Sequence, residues 1–360
     1  MLTPLPTLVV EFTRETRESV RVLFWTDERL RGSQRSIPLS GIASFLNEAN
    51  LYYAGLSPEQ LSALGKTLFQ WLDGDDRLLT SMLEALPSRP AEVQLAIVAG
   101  DAELHRLPWE LLHDGFEWCH ARGSLALIPV RCVRAPQTHP SESPANRPLG
   151  VLFMAASPQV PGRAPLDFEA EEGRILQGDA ASQSVQVLVE ESGNLDELKQ
   201  LWQSLASHDY LDVLHLSGHA GRASTEPVFE FETLEGELDT VTAGRLNEAL
   251  PRRPRLAFLS GCSTGLALGT DNSQSFAQRL VREGWPAVLG WGNSIADSQA
   301  TLAATTLYGH LESGVPLGTA LRLTWRKLRE ESHEKLAFAS ASLLPIDTGR
   351  TGDGPQHPRA

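Results

Sequence analysis

From residue 149 onward, short apolar runs alternate with amphipathic stretches, and this alternation constrains the fold more than any other feature. The runs 149–154 (LGVLFM), 185–189 (VQVLV), 211–216 (LDVLHL), 255–260 (RLAFLS) and 286–291 (PAVLGW) have the length and apolar content of strands covered on both faces. Between and after them lie stretches with helical spacing, at 167–177, 195–206, 242–250, 273–284, 297–312 and 317–331. Strand and helix in turn predict an α/β unit: a mostly parallel sheet flanked by helices. In such a sheet, ligand sites lie beyond the carboxyl ends of the strands.

The preceding part of the chain reads differently. Strands are expected at 7–13, 20–26, 93–98 and 124–132, with a turn into a short helix at 107–113 and a helix at 76–86. Residues 58–72 place Leu61, Leu64, Leu68 and Leu72 on one helical face, behind Ser57 as N-cap and Pro58 in the first turn. The expected organisation is an α+β N-terminal half (1–133), a Pro/Ser-rich linker (134–148), the α/β half (149–346) and a polar, disordered tail (347–360). Pro136, Pro140, Pro144 and Pro148 exclude helix and central strand from the linker.

Two of the apolar strands end in chemistry. The run 211–216 leads into Ser217-Gly218-His219-Ala220-Gly221, and the run 255–260 into Gly261-Cys262-Ser263-Thr264-Gly265. Both are glycine-containing turns on the expected active edge, and together they bring an imidazole and a thiol to one rim. An imidazole that takes the thiol proton turns a weak nucleophile into a thiolate. The glycines are expected to permit sharp turns that expose the thiol and turn backbone N–H groups toward a developing oxyanion. The N–H groups of Ala220 and Cys262 are the candidate donors.

Other readings of these residues carry less weight. His215, on the strand itself, reads as a packed core histidine. His215, His219 and Cys262 do not make a zinc site, because the segment is a strand and lacks the Glu of an H-E-x-x-H helix. Gly261–Gly265 also fits G-x-S-x-G, with Ser263 as a hydrolase nucleophile and Asp297 and His310 downstream. That reading leaves the Ser-Gly-His turn unexplained. Asp297 can cap a helix or form a pocket wall. The stretch 223–244 holds Glu226, Glu230, Glu232, Glu235, Glu237 and Asp239. It reads either as a solvated hairpin or as a negative field that draws a basic peptide to the cleft. Trp109 and Glu110 read as structural.

Composition excludes several classes. The net charge of −14 rules against a general nucleic-acid binder, which needs a basic footprint. Three cysteines, Cys119, Cys132 and Cys262, are too few for a disulfide scaffold and suit a reducing compartment. No apolar stretch approaches the about 18 residues of a membrane span, and Met1–Glu15 does not read as a signal peptide. A cytoplasmic protein without cofactor or metal is expected.

The ordered set of motifs resembles the CHAT domain, a member of the caspase and separase clan of cysteine proteases. The resemblance rests on LDVLHLSGHAG and RLAFLSGCSTG, with His219 lying 43 positions before Cys262. Further carriers are Leu107-Pro108-Trp109-Glu110-Leu111-Leu112, Pro165-Leu166-Asp167 with Glu171 and Glu172, and Gly284–Gly290 followed by Asp297. The series closes with Leu307-Tyr308-Gly309, Gly314–Leu317 and Ala320. The resemblance implies a caspase-like fold and peptide-bond cleavage by a His219/Cys262 dyad. It also implies Asp297 in a pocket for a basic side chain, and an N-terminal half that is a degenerate caspase-like half. Relatives work with sensor or activator proteins in bacterial defence or stress systems, so an activating partner and a protein substrate are expected. A non-proteolytic adaptor is the alternative. Two departures stand out: Ala220 replaces the family's usual Gly, and LAFASASLLP matches the closing strand only loosely.

Overall fold

The computed structural model describes residues 5–26, 33–46, 56–86, 90–135, 148–161, 168–182, 185–206, 211–262, 264–265, 274–292, 295–331 and 340–347. The strands are β1 (Thr7–Arg14), β2 (Ser19–Thr26), β3 (Ser33–Pro38), β4 (Glu92–Ala99), β5 (Ala126–Ala135), β6 (Leu149–Ala155), β7 (Val185–Glu190), β8 (Val213–Ser217), β9 (Ala220–Ala223), β10 (Glu226–Glu232), β11 (Leu238–Thr242), β12 (Leu256–Ser260), β13 (Val288–Trp291) and β14 (Ser340–Asp347). The helices are α1 (Ala43–Leu46), α2 (Pro58–Asp73), α3 (Leu78–Glu84), α4 (Ala102–His105), α5 (Phe168–Ser182), α6 (Leu195–Ala206), α7 (Ala243–Ala249), α8 (Phe276–Arg282), α9 (Asp297–Glu312) and α10 (Leu317–Glu331).

Eleven of these strands form one sheet in the order β3-β2-β1-β4-β5-β14-β13-β12-β8-β6-β7. Strands from both sides of residues 136–147 therefore share one sheet, and β14 lies between the two sets. β7, β6, β8, β12 and β13 run parallel to one another. β14 pairs antiparallel with β13 and parallel with β5, and β4 and β1 continue that second direction. The sheet thus has two parallel blocks of opposite sense, whose carboxyl ends lie on opposite edges. A separate three-stranded sheet, β11-β10-β9, follows directly from β8.

Local chemistry explains the element boundaries. Ser57 caps α2 through a reciprocal box: its hydroxyl accepts from Gln60 N while the Gln60 side chain accepts from Ser57 N. β3 is polar and carries no alternation that sequence could detect; it exists because β2 offers an edge. β5 holds Pro129 inside a central strand. The pairing with β14 begins only at Arg131, so the missing proline N–H breaks no bond on that side. β5 also runs to Ala135, beyond the expected strand end at 132.

Buried apolar residues cover both faces of the sheet, and buried polar groups tie the two blocks together. Arg131 on β5 pairs with Glu110 and donates to the carbonyls of His105 (2.9 Å) and Leu107 (2.7 Å). Trp109 stacks on Phe12 and donates to Leu104 O. Both Trp109 and Glu110 are therefore structural. His105 on α4 is bonded to Gln278 on α8, which joins the N-terminal strands to the second block.

Two buried imidazoles give this packing a pH signature. Burial, followed by the charge of Arg131 for His105 and of Arg329 for His120, pushes both down to about 3. On unfolding they return to an ordinary value of about 6.5, so the unfolded chain binds more protons in between. Their stabilisation is complete above about pH 6.5 and is lost as pH falls toward 3. Urea midpoints are expected to drop between about pH 7 and about pH 5, before most carboxylates titrate; a flat profile would contradict this account.

Candidate active site

The parallel pairing of β8 with β12 aligns Ser217 with Ser260. Each strand then continues into a glycine, Gly218 or Gly261, and each glycine into a candidate functional residue, His219 or Cys262. Gly218 N donates to Ser260 O at 3.1 Å, which links the two turns directly.

The glycines make room in these turns rather than adopt a backbone closed to other residues. Neither has a left-handed φ. What they supply is space. A Cβ on Gly218 would lie 2.7 Å from Phe229 Cε1, and one on Gly261 would lie 2.9 Å from both Gly218 O and Phe229 Cε2. The turns press against each other and onto the buried ring of Phe229.

Thr264 pins the cysteine turn to β13, a role not read from the sequence. Its buried hydroxyl donates to Gly261 O at 2.9 Å and accepts from Trp291 N at 3.0 Å. Gly265 N adds a bond to Trp291 O at 3.0 Å. Gly290 leaves room for this contact, since a Cβ there would lie 2.7 Å from Thr264 Oγ1.

His219 and Cys262 line one cleft of about 60 Å³, together with Phe168, Glu171, Ile295 and Asp297. Both are half-buried. Cys119 and Cys132 are buried, which pushes each thiol up to about 12. Ala220 begins β9 without a left-handed φ, so the alanine departure imposes no backbone strain. Glu230 N donates to His219 O, so Ala220 and Phe229 form a pair with no ladder bonds between them. The Ala220 N–H is accordingly not directed at β10.

Asp297 is exposed in the first turn of α9, and the N-cap is Ala296, so Asp297 is not the cap residue. None of the six acidic residues in 223–244 lines the cleft. Glu226 pairs with Arg279, Asp239 with Arg245, and Glu232 accepts from Ser157 N. Glu230 is buried.

Beneath the cleft lies a polar cluster that sequence reasoning only partly anticipated. The Glu171 carboxylate accepts from Ser217 Oγ at 2.6 Å and from Ser260 Oγ at 2.8 Å. His215 Nε2 lies 3.3 Å from the same carboxylate, and His215 Nδ1 is 2.7 Å from the Tyr308 hydroxyl. A carboxylate only accepts, so the contact with Glu171 calls for a proton on Nε2. Burial acts to raise the Glu171 carboxyl, but the interactions with His215, Ser217 and Ser260 outweigh it and hold it below its ordinary value. Burial and the Glu171 charge push Tyr308 well up, so its hydroxyl stays protonated. His215 is thus the hydrogen-bonded core histidine that the sequence suggested. Glu171 drew attention only through a family motif, because its partners lie 46 and 89 positions away.

The serine-hydrolase arrangement fails on geometry. Asp297 and His310 stand at opposite ends of α9, about 20 Å apart at 1.5 Å per residue. Ser263 lies outside the described residues, as do Pro165–Asp167 and the tail beyond Asp347. Among the described residues no three His, Cys, Asp or Glu side chains gather as a metal site. No described helix is long and apolar enough to cross a membrane.

A larger cavity, about 700 Å³, opens at the opposite edge of the sheet, beyond β1, β4 and β5. It too is lined by a histidine and a cysteine, His105 and Cys132. Burial holds that histidine near 3 and that thiol near 12, so the pair cannot share a proton usefully. Size alone does not single out a site here; what separates the two pairs is that His219 and Cys262 are half-buried.

The fold is similar to that of part of separase. Two structures of the Saccharomyces cerevisiae separase–securin complex align with TM-scores of 0.53 and 0.50, each at 11% identity. They cover 95% of this chain but 30% of the separase chain, so the present chain spans about a third of that protein's length. The Arg-specific cysteine proteinase gingipain R, of Porphyromonas gingivalis, aligns with a TM-score of 0.47 at 11% identity, over 78% of this chain and 67% of its own. No curated protein matches the chain in sequence. Its fold class is caspase-like. Within that class the chain belongs to the CHAT domain family, whose model matches residues 62–359.

The difference in burial among the three thiols is directly measurable. Iodoacetamide on the folded chain is expected to modify Cys262 at least about tenfold faster than Cys119 or Cys132, with all three reacting after denaturation. Equal native labelling of the three would refute this description of the site.

Proposed function

We propose that this protein is an endopeptidase that cleaves a protein substrate through a His219/Cys262 dyad. The supporting observation is that paired, in-register strands carry the two residues into one cleft. His219 takes the Cys262 proton, and the thiolate attacks the scissile carbonyl carbon. The carbonyl oxygen becomes an oxyanion, held by the backbone N–H groups of Ala220 and Cys262. As the C–N bond breaks, His219 returns the proton to the leaving amine. Water, deprotonated by His219, then hydrolyses the thioester and frees the thiol.

Asp297 is the proposed specificity residue. Asp297 lines the cleft and is exposed, which suits a basic side chain on the amino side of the cut bond. None of the hairpin acids lines the cleft, so the assignment rests on Asp297. A peptide library is expected to favour Arg and Lys at that position. Asp297→Asn should reduce the preference about tenfold, as expected for losing a charge-assisted bond. An acidic or purely apolar preference would overturn the assignment.

The protease is proposed to require an activating partner. A cleft of about 60 Å³, below the about 300 Å³ of small ligand pockets, accords with a site that a partner opens. Separase, one structural neighbour, was solved in complex with a second protein, securin. The N-terminal half, 1–133, is read as a degenerate caspase-like half that supports the protease half, 149–346. The setting proposed is the bacterial cytoplasm, in a defence or stress system, as sparse cysteines and family membership suggest. Co-expression of wild type and Cys262→Ala with the products of neighbouring genes, read by intact mass, tests the reading. A cleaved product is expected with wild type and absent with the variant. Full biological activity of Cys262→Ala would instead favour a non-proteolytic adaptor.

A further inference from the structure

Glu171 stands in the first turn of α5, with its side chain 5% exposed, and its two oxygens are engaged on two different strands. Oε2 accepts from Ser217 at the end of β8, and Oε1 from Ser260 at the end of β12. Each serine lies two residues before a member of the dyad, His219 or Cys262. At about 3.3 Å per residue, one carboxylate is thus anchored within about 7 Å of chain from both reacting residues.

We propose that Glu171 is a positioning residue for catalysis, a clamp that fixes the spacing and orientation of the two dyad turns. The proposal rests on the reading of His219 and Cys262 as the reacting pair.

Three observations support it. First, both contacts are hydrogen bonds to an anion, which are about twice as strong as neutral ones. Second, a buried anion contributes little net stability compared with an apolar replacement, so stability alone does not account for it. Third, the clamp is itself braced. His215 contacts Glu171 and is bonded to Tyr308, so the cluster connects α5, β8, β12 and α9. α9 also carries Asp297, so the clamp ties the dyad to the proposed specificity wall. Glu171 lines the cleft, with one oxygen engaged by Ser217 and the other by Ser260.

The test needs no natural substrate. The pH–rate profile of Cys262 alkylation by iodoacetamide is measured for wild type, His219→Ala, Ser217→Ala, Ser260→Ala and Glu171→Gln. Urea midpoints and the protection of Cys119 and Cys132 report folding. Each serine variant is expected to slow alkylation about tenfold at neutral pH and to move the profile in the direction that His219→Ala moves it. In the Glu171→Gln background, Ser217→Ala should add no further effect, as coupled residues do. If Glu171→Gln fails to fold, the single serine variants decide. Folded serine variants with wild-type rates and profiles, alongside a slowed His219→Ala, would overturn the clamp and leave the dyad standing. Additive effects in the double variant would also overturn it. A wild-type profile in His219→Ala would remove the dyad reading itself, and the clamp with it.

Discussion

The site depends on the register of β8 against β12. Ser217 opposite Ser260 sets the two turns level, so that Gly218 meets Gly261 and His219 can share a cleft with Cys262. A slip of one residue would reverse the facing of every side chain on one strand. The structure holds this register from several sides. Below the turns, the bulk of Phe229 leaves space only for glycine at both positions. Behind them, Thr264 ties the cysteine turn to β13. Under both, Glu171 accepts from the two aligned serines.

The eleven-stranded sheet also separates two similar-looking environments. Its two parallel blocks have opposite sense, so each edge offers carboxyl strand ends and a histidine near a cysteine. Only one such pair is half open to solvent. On the other edge, burial drives the imidazole and the thiol toward their neutral forms. Environment rather than residue identity distinguishes the two pairs. The larger cavity accompanies the structural pair, whereas the small cleft accompanies the candidate dyad.

Much of this was legible in the sequence where the signal was local. The alternation after residue 148 foretold the parallel block, and Ser57 with Pro58 foretold the start of α2. The Ser-Gly-His and Gly-Cys turns were visible because each is a strand followed at once by glycine and a reactive residue. The reason for those glycines was not legible: it is the ring of Phe229, which reaches them from another strand. β3 escaped notice because a polar edge strand has no pattern of its own. The function of Glu171 escaped because its hydroxyl donors come from two distant strands. The acidic run at 223–244 suggested a field on the cleft, yet Arg279, Arg245 and the Ser157 amide engage three of its members locally. Composition reports charge, but only the fold says where that charge faces.

The central claim is that His219 activates Cys262 across adjacent strand ends. The most direct measurement is the rate at which iodoacetamide modifies Cys262 at neutral pH in the folded wild type and in folded His219→Ala. Cys119 and Cys132 stay silent there, since burial pushes both to about 12. The account predicts faster modification of Cys262 in wild type than in His219→Ala. Equal rates in the two folded proteins would contradict it.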